Sequence, residues 1–175
     1  YMYTNGKGTT PDPATGLEYY EQAARGGDLI AQYNLAQMYY YGYGGEQDFD
    51  KALHWYLKAA GQGSVEAMTQ VADIYFNGNG MTEDYAEALQ WYRKAAASGS
   101  AYAMNSIGMF FICGYGVEED YKEAYSWFLK AAGQNYVPAM YNIATLYYEG
   151  RLSRNSDAES LRWYLKAAER GPTNA

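Results

Sequence analysis

At 175 residues the chain is long enough for one ordinary domain with a sizeable core. With 49% hydrophobic and 18% aromatic residues it is not a disordered chain, and a net charge of −7 with pI near 4.7 argues against nucleic acid or an acidic membrane surface as partner, since both call for clustered cations. No stretch approaches the roughly 20 apolar residues of a membrane span, and the lone Cys113 allows no internal disulfide. No signal-peptide pattern is present, though a removed leader would leave no trace. Most of the aromatics are tyrosine, 22 against 5 Phe and 4 Trp. Tyrosine suits half-wet positions, with the ring against neighbours and the hydroxyl at the surface.

In chain order, residues 1–27 form a partial repeat. Tyr3-Thr4-Asn5-Gly6-Lys7-Gly8 stands 36 residues before Tyr39-Tyr40-Tyr41-Gly42-Tyr43-Gly44, and Tyr19-Tyr20 stands 36 before Trp55-Tyr56. Four full units follow at 28–63, 64–99, 100–135 and 136–171, and 172–175 opens a further one. The chain therefore reads as a single array, opening and closing in mid-repeat, as a segment of a longer one would. Trp55, Trp91, Trp127 and Trp163 are each 36 apart, as are Ala31, Ala67, Ala103 and Ala139. Lys-Ala-Ala returns at Lys58, Lys94, Lys130 and Lys166 without an insertion. Such a period marks stacked supersecondary units.

Each unit holds two helical patterns. In the first, helix A, the third unit reads Ala103-x-x-x-Ile107-Gly108-x-x-Phe111, apolar on one face. Asp28, Ser64 and Ser100 stand where N-caps belong, and Gly-x-Gly stops the helix at Gly42-Gly44, Gly78-Gly80 and Gly114-Gly116. Helix B opens on capping boxes, Asp84-x-x-Glu87, Asp120-x-x-Glu123 and Ser156-x-x-Glu159. Its small residues (Ala52, Ala88, Ala124) alternate with aromatics, so that helices approach closely. It closes at Gly27, Gly63, Gly99, Asn135 and Gly171, Asn being the next most tolerant residue of the left-handed region. No period-two run competes, so the fold is all-α. A constant period means a constant rotation per antiparallel helix pair, hence an α/α superhelix (a solenoid) with a concave and a convex side.

The pattern Ala-x-x-x-Leu-x-x-x-Tyr-x-x-Gly-x-Gly, then Ala-x-x-Trp-Tyr-x-Lys-Ala-Ala-x-x-Gly, resembles the Sel1-like repeat, a relative of the tetratricopeptide repeat. In one unit Ala31, Leu35, Tyr39, Gly42, Gly44, Ala52, Trp55, Lys58, Ala59, Ala60 and Gly63 all fit. The resemblance covers essentially the whole chain and implies a right-handed superhelix. It also implies a non-catalytic adaptor that holds protein complexes together, as family members do in bacterial signalling, host contact and eukaryotic protein quality control. The last unit departs from it: Gly150-Arg151-Leu152 replaces Gly-x-Gly, and Ser160 stands in place of alanine. A cysteine-rich branch of the family carries a disulfide in each repeat and is linked to β-lactam binding; the solitary Cys113 removes the reason to infer that activity.

In the related repeats helix A lines the concave groove. Carried onto this chain, the groove positions are Ile30, Tyr33, Gln37, Tyr40 and Tyr41 in the first full unit, and Glu66, Thr69, Asp73, Phe76 and Asn77 in the second. The third supplies Tyr102, Asn105, Met109, Ile112 and Cys113, and the fourth Pro138, Tyr141, Thr145, Tyr148 and Glu149. These vary from unit to unit while the packing positions repeat, as a surface reading a non-repeating partner would. The expected partner is a protein or peptide. Two other readings stay open: some of these rings pack between adjacent A helices, and stacked tyrosines also suit a cell-wall sugar or peptide. Exposed helix faces at the two ends are expected to favour end-to-end association.

No catalytic constellation is visible and no cofactor is implied. His54, the single histidine, belongs at the convex surface and makes no zinc site alone. Cys113 is expected to be a partly buried, inert thiol. The Gly-x-Gly loops follow a helix, not a strand, so they fail as phosphate loops. Glu83-Asp84 and Glu118-Glu119-Asp120 lack the alternating spacing of a calcium loop. The repeated lysines meet the C-terminal dipoles of the B helices. Compartment stays open: periplasm, secretion and cytoplasm all fit.

Overall fold

The computed structural model describes residues 13–153 and 156–171, with side-chain surroundings from Gly16 onward; Tyr3 to Gly8 and the start of a further unit at 172–175 lie outside it. Among the described residues there are nine helices and no strand: α1 (Pro13–Arg25), α2 (Leu29–Tyr41), α3 (Phe49–Gly61), α4 (Val65–Asn77), α5 (Tyr85–Ala97), α6 (Ala101–Cys113), α7 (Tyr121–Gly133), α8 (Val137–Tyr148) and α9 (Asp157–Ala168). The even-numbered helices are the A helices and the odd-numbered ones the B helices. The chain divides into two compact units, residues 1–88 and 89–175. The first holds α1 to α4 and the opening of α5, the second the rest of α5 and α6 to α9.

The period is a period of burial. Ala31, Leu35, Ala36 and Met38 are buried in α2, and the residues 36 further on, Ala67, Val71, Ala72 and Ile74, are buried in α4. In the second unit the same slots hold Ala103, Ile107, Gly108 and Phe110 of α6 and Ala139, Ile143, Ala144 and Leu146 of α8. The deepest ring of α6 is thus Phe110, with Phe111 only half-buried. Seven residues at 3.6 per turn return to within a few tens of degrees of Ala103, whereas eight overshoot. The B helices contribute Ala52, Tyr56, Ala59 and Ala60 in the first unit and Ala124, Phe128, Ala131 and Ala132 in the second.

The A-helix caps form as the sequence predicts. Asp28, Ser64 and Ser100 accept from the amides of Ala31, Ala67 and Ala103 at 2.6, 3.1 and 3.1 Å. In the fourth unit Tyr136 occupies the slot without a side-chain cap, and Pro138, which has no amide hydrogen, stands in the first turn. On the B helices Asp48, Asp84 and Asp120 cap as expected. The backbone amides of these caps donate to the carbonyls of Tyr39, Tyr75 and Phe111, each at 2.9 Å, so a helix-A carbonyl takes the amide that a reciprocal capping box assigns to glutamate. Ser156 does not cap α9. Its hydroxyl lies 3.1 Å from the carbonyl of Tyr147 and 2.7 Å from that of Ser153 instead. Ser160 is buried where the other units have alanine, and its hydroxyl donates to the Ala144 carbonyl at 2.9 Å.

Gly27, Gly63, Gly99 and Asn135 all take positive φ at the ends of the B helices, whereas Gly171 does not. Gly80 needs its glycine twice over: φ is +78°, and an added Cβ would meet the Cβ of Phe49 at 2.9 Å. Just past each B helix a polar side chain reaches back toward the preceding repeat. Gln62 donates to the Gly27 carbonyl and to Gln32, at 3.0 and 2.8 Å, and Arg170 to Asn135 at 2.7 Å. Gln32, itself buried, donates to the Ala24 carbonyl at 3.1 Å, so its amide is satisfied on both sides.

Candidate functional site

The variable positions of the A helices do two kinds of work. In the first unit Tyr33 is half-buried; its hydroxyl accepts from Gln37 at 3.3 Å, and its ring meets that of Tyr56 edge-on, 5.6 Å between centroids. Tyr40 lies edge-on to Tyr41 and to Phe49, at 4.9 and 5.3 Å, and accepts from Asn79 at 3.1 Å. Tyr41 is 54% exposed. On α4, Glu66 is exposed, Asp73 is half-buried, and Phe76 leans on the ring of Tyr85. Thr69 is buried, with its hydroxyl donating to the Glu66 carbonyl at 2.8 Å, and presents no surface.

In the second unit Tyr102 and Tyr141 are 42% and 45% exposed and rest on Tyr92 and Tyr164 of the B helices. Asn105 accepts from Asn142 at 2.8 Å, tying α8 to α6. Thr145 bonds the Tyr141 carbonyl and lies 3.4 Å from the Tyr164 hydroxyl. Tyr148 is 72% exposed. Met109 and Ile112 pack instead against the core of this unit. Ile30, Asn77, Pro138 and Glu149 are exposed, and so is Cys113, which is not the partly buried thiol the sequence suggests.

Tyr56 is a residue that reading the A helices alone misses. It sits on α3 with no exposed surface, and its hydroxyl has no hydrogen-bond partner. Burial pushes this phenol far above its ordinary range, and the nearby Tyr33, Tyr41, Tyr40 and Asp73 push the same way. Tyr33 is raised by burial and then by the charge of Glu66, and Tyr40 by burial and then by Tyr41 and Asp73. Tyr33, Tyr40, Tyr41, Tyr56, Glu66 and Asp73 therefore form one electrostatic cluster. The available signal was the repeat itself: Tyr56, Tyr92 and Tyr164 share a slot in which Phe128 has no hydroxyl.

The opposite set of positions is cationic. The ammonium groups of Lys94, Lys130 and Lys166 lie 3.7, 3.8 and 4.4 Å from the ring centroids of Trp91, Trp127 and Trp163. The repeated Trp-x-x-Lys thus adds a cation–π contact to the dipole interaction read from sequence. His54 is exposed, edge-on to Trp55. Among the described residues no group of three or more His, Cys, Asp or Glu side chains is placed to hold a metal ion. No helix among them is long and apolar enough to cross a membrane.

Tandem helix pairs with an invariant packing stripe and a variable second face define a class, the helical repeat proteins. The Sel1 repeat model matches at residues 1–28, 29–64, 65–100, 101–136 and 137–172. The chain belongs to the Sel1 repeat family. Among solved structures it is similar to a Sel1 repeat protein from Oxalobacter formigenes, with TM-score 0.85 and 33% identity over 98% of this chain and 70% of that one. It is also similar to a protective antigen present in uropathogenic Escherichia coli strains, which displays the same repeat fold. There the TM-score is 0.87 and the identity 31%, over 97% of this chain and only 36% of the antigen. Helicobacter pylori cysteine rich protein B, 23% identical with TM-score 0.56 over 74% of this chain and 92% of that one, shares the fold. No curated protein matches. Proteins of the family generally mediate protein–protein interaction and are typically non-catalytic.

Proposed function

We propose that this chain is a non-catalytic adaptor that binds a protein or peptide through the variable faces of its A helices. One observation carries the reading: α2, α4, α6 and α8 contain no lysine or arginine, yet Tyr41, Tyr102, Tyr141 and Tyr148 stand exposed on them. A helix face that merely meets water is rich in charge, whereas exposed rings with few charges characterise recognition surfaces. Tyrosine gives large contact area at the entropic cost of about two torsions. The groove positions Gln37, Asn105 and Thr145 add polar groups among the rings.

The test is capture of a partner by the wild-type chain and by a Tyr102→Ala/Tyr141→Ala variant, with helicity checked by circular dichroism. Loss of the captured protein from a folded variant is expected. An unchanged set of captured proteins would remove these faces from the interaction. Tyrosine-dependent sedimentation with purified cell wall, without any captured protein, would replace the adaptor by a wall-binding module.

A further inference from the structure

Resting on that reading, we infer that the α2–α4 face of the first unit recognises a lysine or arginine side chain of the partner, seated among Tyr33, Tyr41 and Tyr56 and facing the carboxylates of Glu66 and Asp73. Three observations lead there. The Tyr56 side chain has no exposed surface and its hydroxyl lacks a partner, although it lies within electrostatic reach of Tyr33, Tyr40, Tyr41 and Asp73. A buried hydroxyl left this way costs stability, and an ammonium or guanidinium donor would satisfy its oxygen. The second observation is the sign of the surroundings. The acidic residues within α2 and α4 are Glu66 and Asp73, and neither helix has a basic one. Nearby cations are engaged elsewhere, Arg25 with Glu21 at 2.9 Å and Lys51 with Asp48 at 3.0 Å.

The third is the aromatic content. Tyr33 meets Tyr56 edge-on, and Tyr41 lies against Tyr40 with its ring largely in solvent. Ring faces attract a cation, and carboxylates beside them add charge-assisted hydrogen bonds. A carboxylate on the partner would meet only like charge and phenol oxygens here. The second unit lacks this combination: Asn105 and Met109 stand on α6 where Thr69 and Asp73 stand on α4, and Phe128 has no hydroxyl to satisfy.

The probe is a short capped peptide carrying lysines spaced by serine, compared with the same peptide fully acetylated on those lysines. The readout is the side-chain NMR signals of the tyrosines in the full chain. We expect the lysine peptide to shift Tyr33, Tyr41 and Tyr56 saturably, with affinity falling roughly tenfold on acetylation and by a similar factor in Asp73→Asn, as loss of a charge-assisted contact implies. Tyr56→Phe should also weaken binding while raising the melting temperature, which separates a lost contact from lost folding. Equal binding of the acetylated peptide, shifts confined to other residues, or no saturable shift would each overturn the assignment. Tyr102→Ala/Tyr141→Ala, which tests the adaptor reading, lies in the other unit and should leave this titration unchanged, so the two ideas fail separately.

Discussion

The two units solve the same packing problem with different atoms. In the first, the B-helix slot holds Tyr56, and the facing A-helix slot holds Ala36; in the second, the same slots hold Phe128 and Gly108. A Cβ built on Gly108 would come within 2.4 Å of the Phe128 ring. The ring therefore closes on α6 in a way that alanine forbids, and its missing hydroxyl leaves nothing unsatisfied. The first unit keeps the hydroxyl and accepts an unpartnered polar atom. The comparison separates a position tuned for packing alone from one that retains a polar group in the interior for no packing benefit.

The largest expected effect comes from emptying the tighter site. Phe128→Ala should cost about 3–5 kcal/mol, since the ring is wholly buried and its loss leaves a cavity. Thermal or urea unfolding checks it, and a cost below that of an Ile→Val change would mean that the ring is not the keystone of its unit. Next is Gly108→Ala. Alanine favours a helix over glycine by about 1 kcal/mol, but the clash should dominate, for a net loss of about 1–3 kcal/mol. A neutral or stabilising result would show that Phe128 has room to move and would erase the contrast between the units.

Tyr56→Phe should act in the opposite sense, stabilising the chain by about 1 kcal/mol as the unpartnered hydroxyl is removed. A destabilised variant would indicate that the hydroxyl has a partner in solution. The smallest effect concerns alkaline pH. Tyr39 is pushed up to about 12 by burial and then by Glu21, and Tyr125 to about 12 by burial and then by its bond with Tyr147. The unfolded phenols release their protons near 10 while the folded ones hold theirs, so the stability these groups contribute is complete below pH 10 and is lost as pH climbs toward 12. Melting temperatures across that window should fall, and less steeply in Tyr39→Phe/Tyr125→Phe. Equal slopes would place the alkaline loss elsewhere.

Much of the fold was legible because each unit states the rule again. Asp28, Ser64 and Ser100 cap as a single glance at their spacing suggests, and Asn135 adopts the positive φ that its place among glycines requires. Where one repeat breaks the rule, spacing misleads. Ser156 looks like a cap and bonds helix carbonyls instead, and Cys113 looks half-buried and is exposed. The candidate faces were legible as positions but not as environments. Thr69 and Tyr33 share a repeat slot, yet one is buried and the other half-open.

By itself the sequence determined the period, the helix limits and the buried stripe, because these follow from local preferences repeated every 36 residues. Only the tertiary structure decided what each variable side chain meets. The Tyr56 hydroxyl lies among side chains contributed by α2 and α4, residues up to 23 positions away on either side. Burial and charge at such a point depend on which neighbours the packing brings, and no local pattern contains that information.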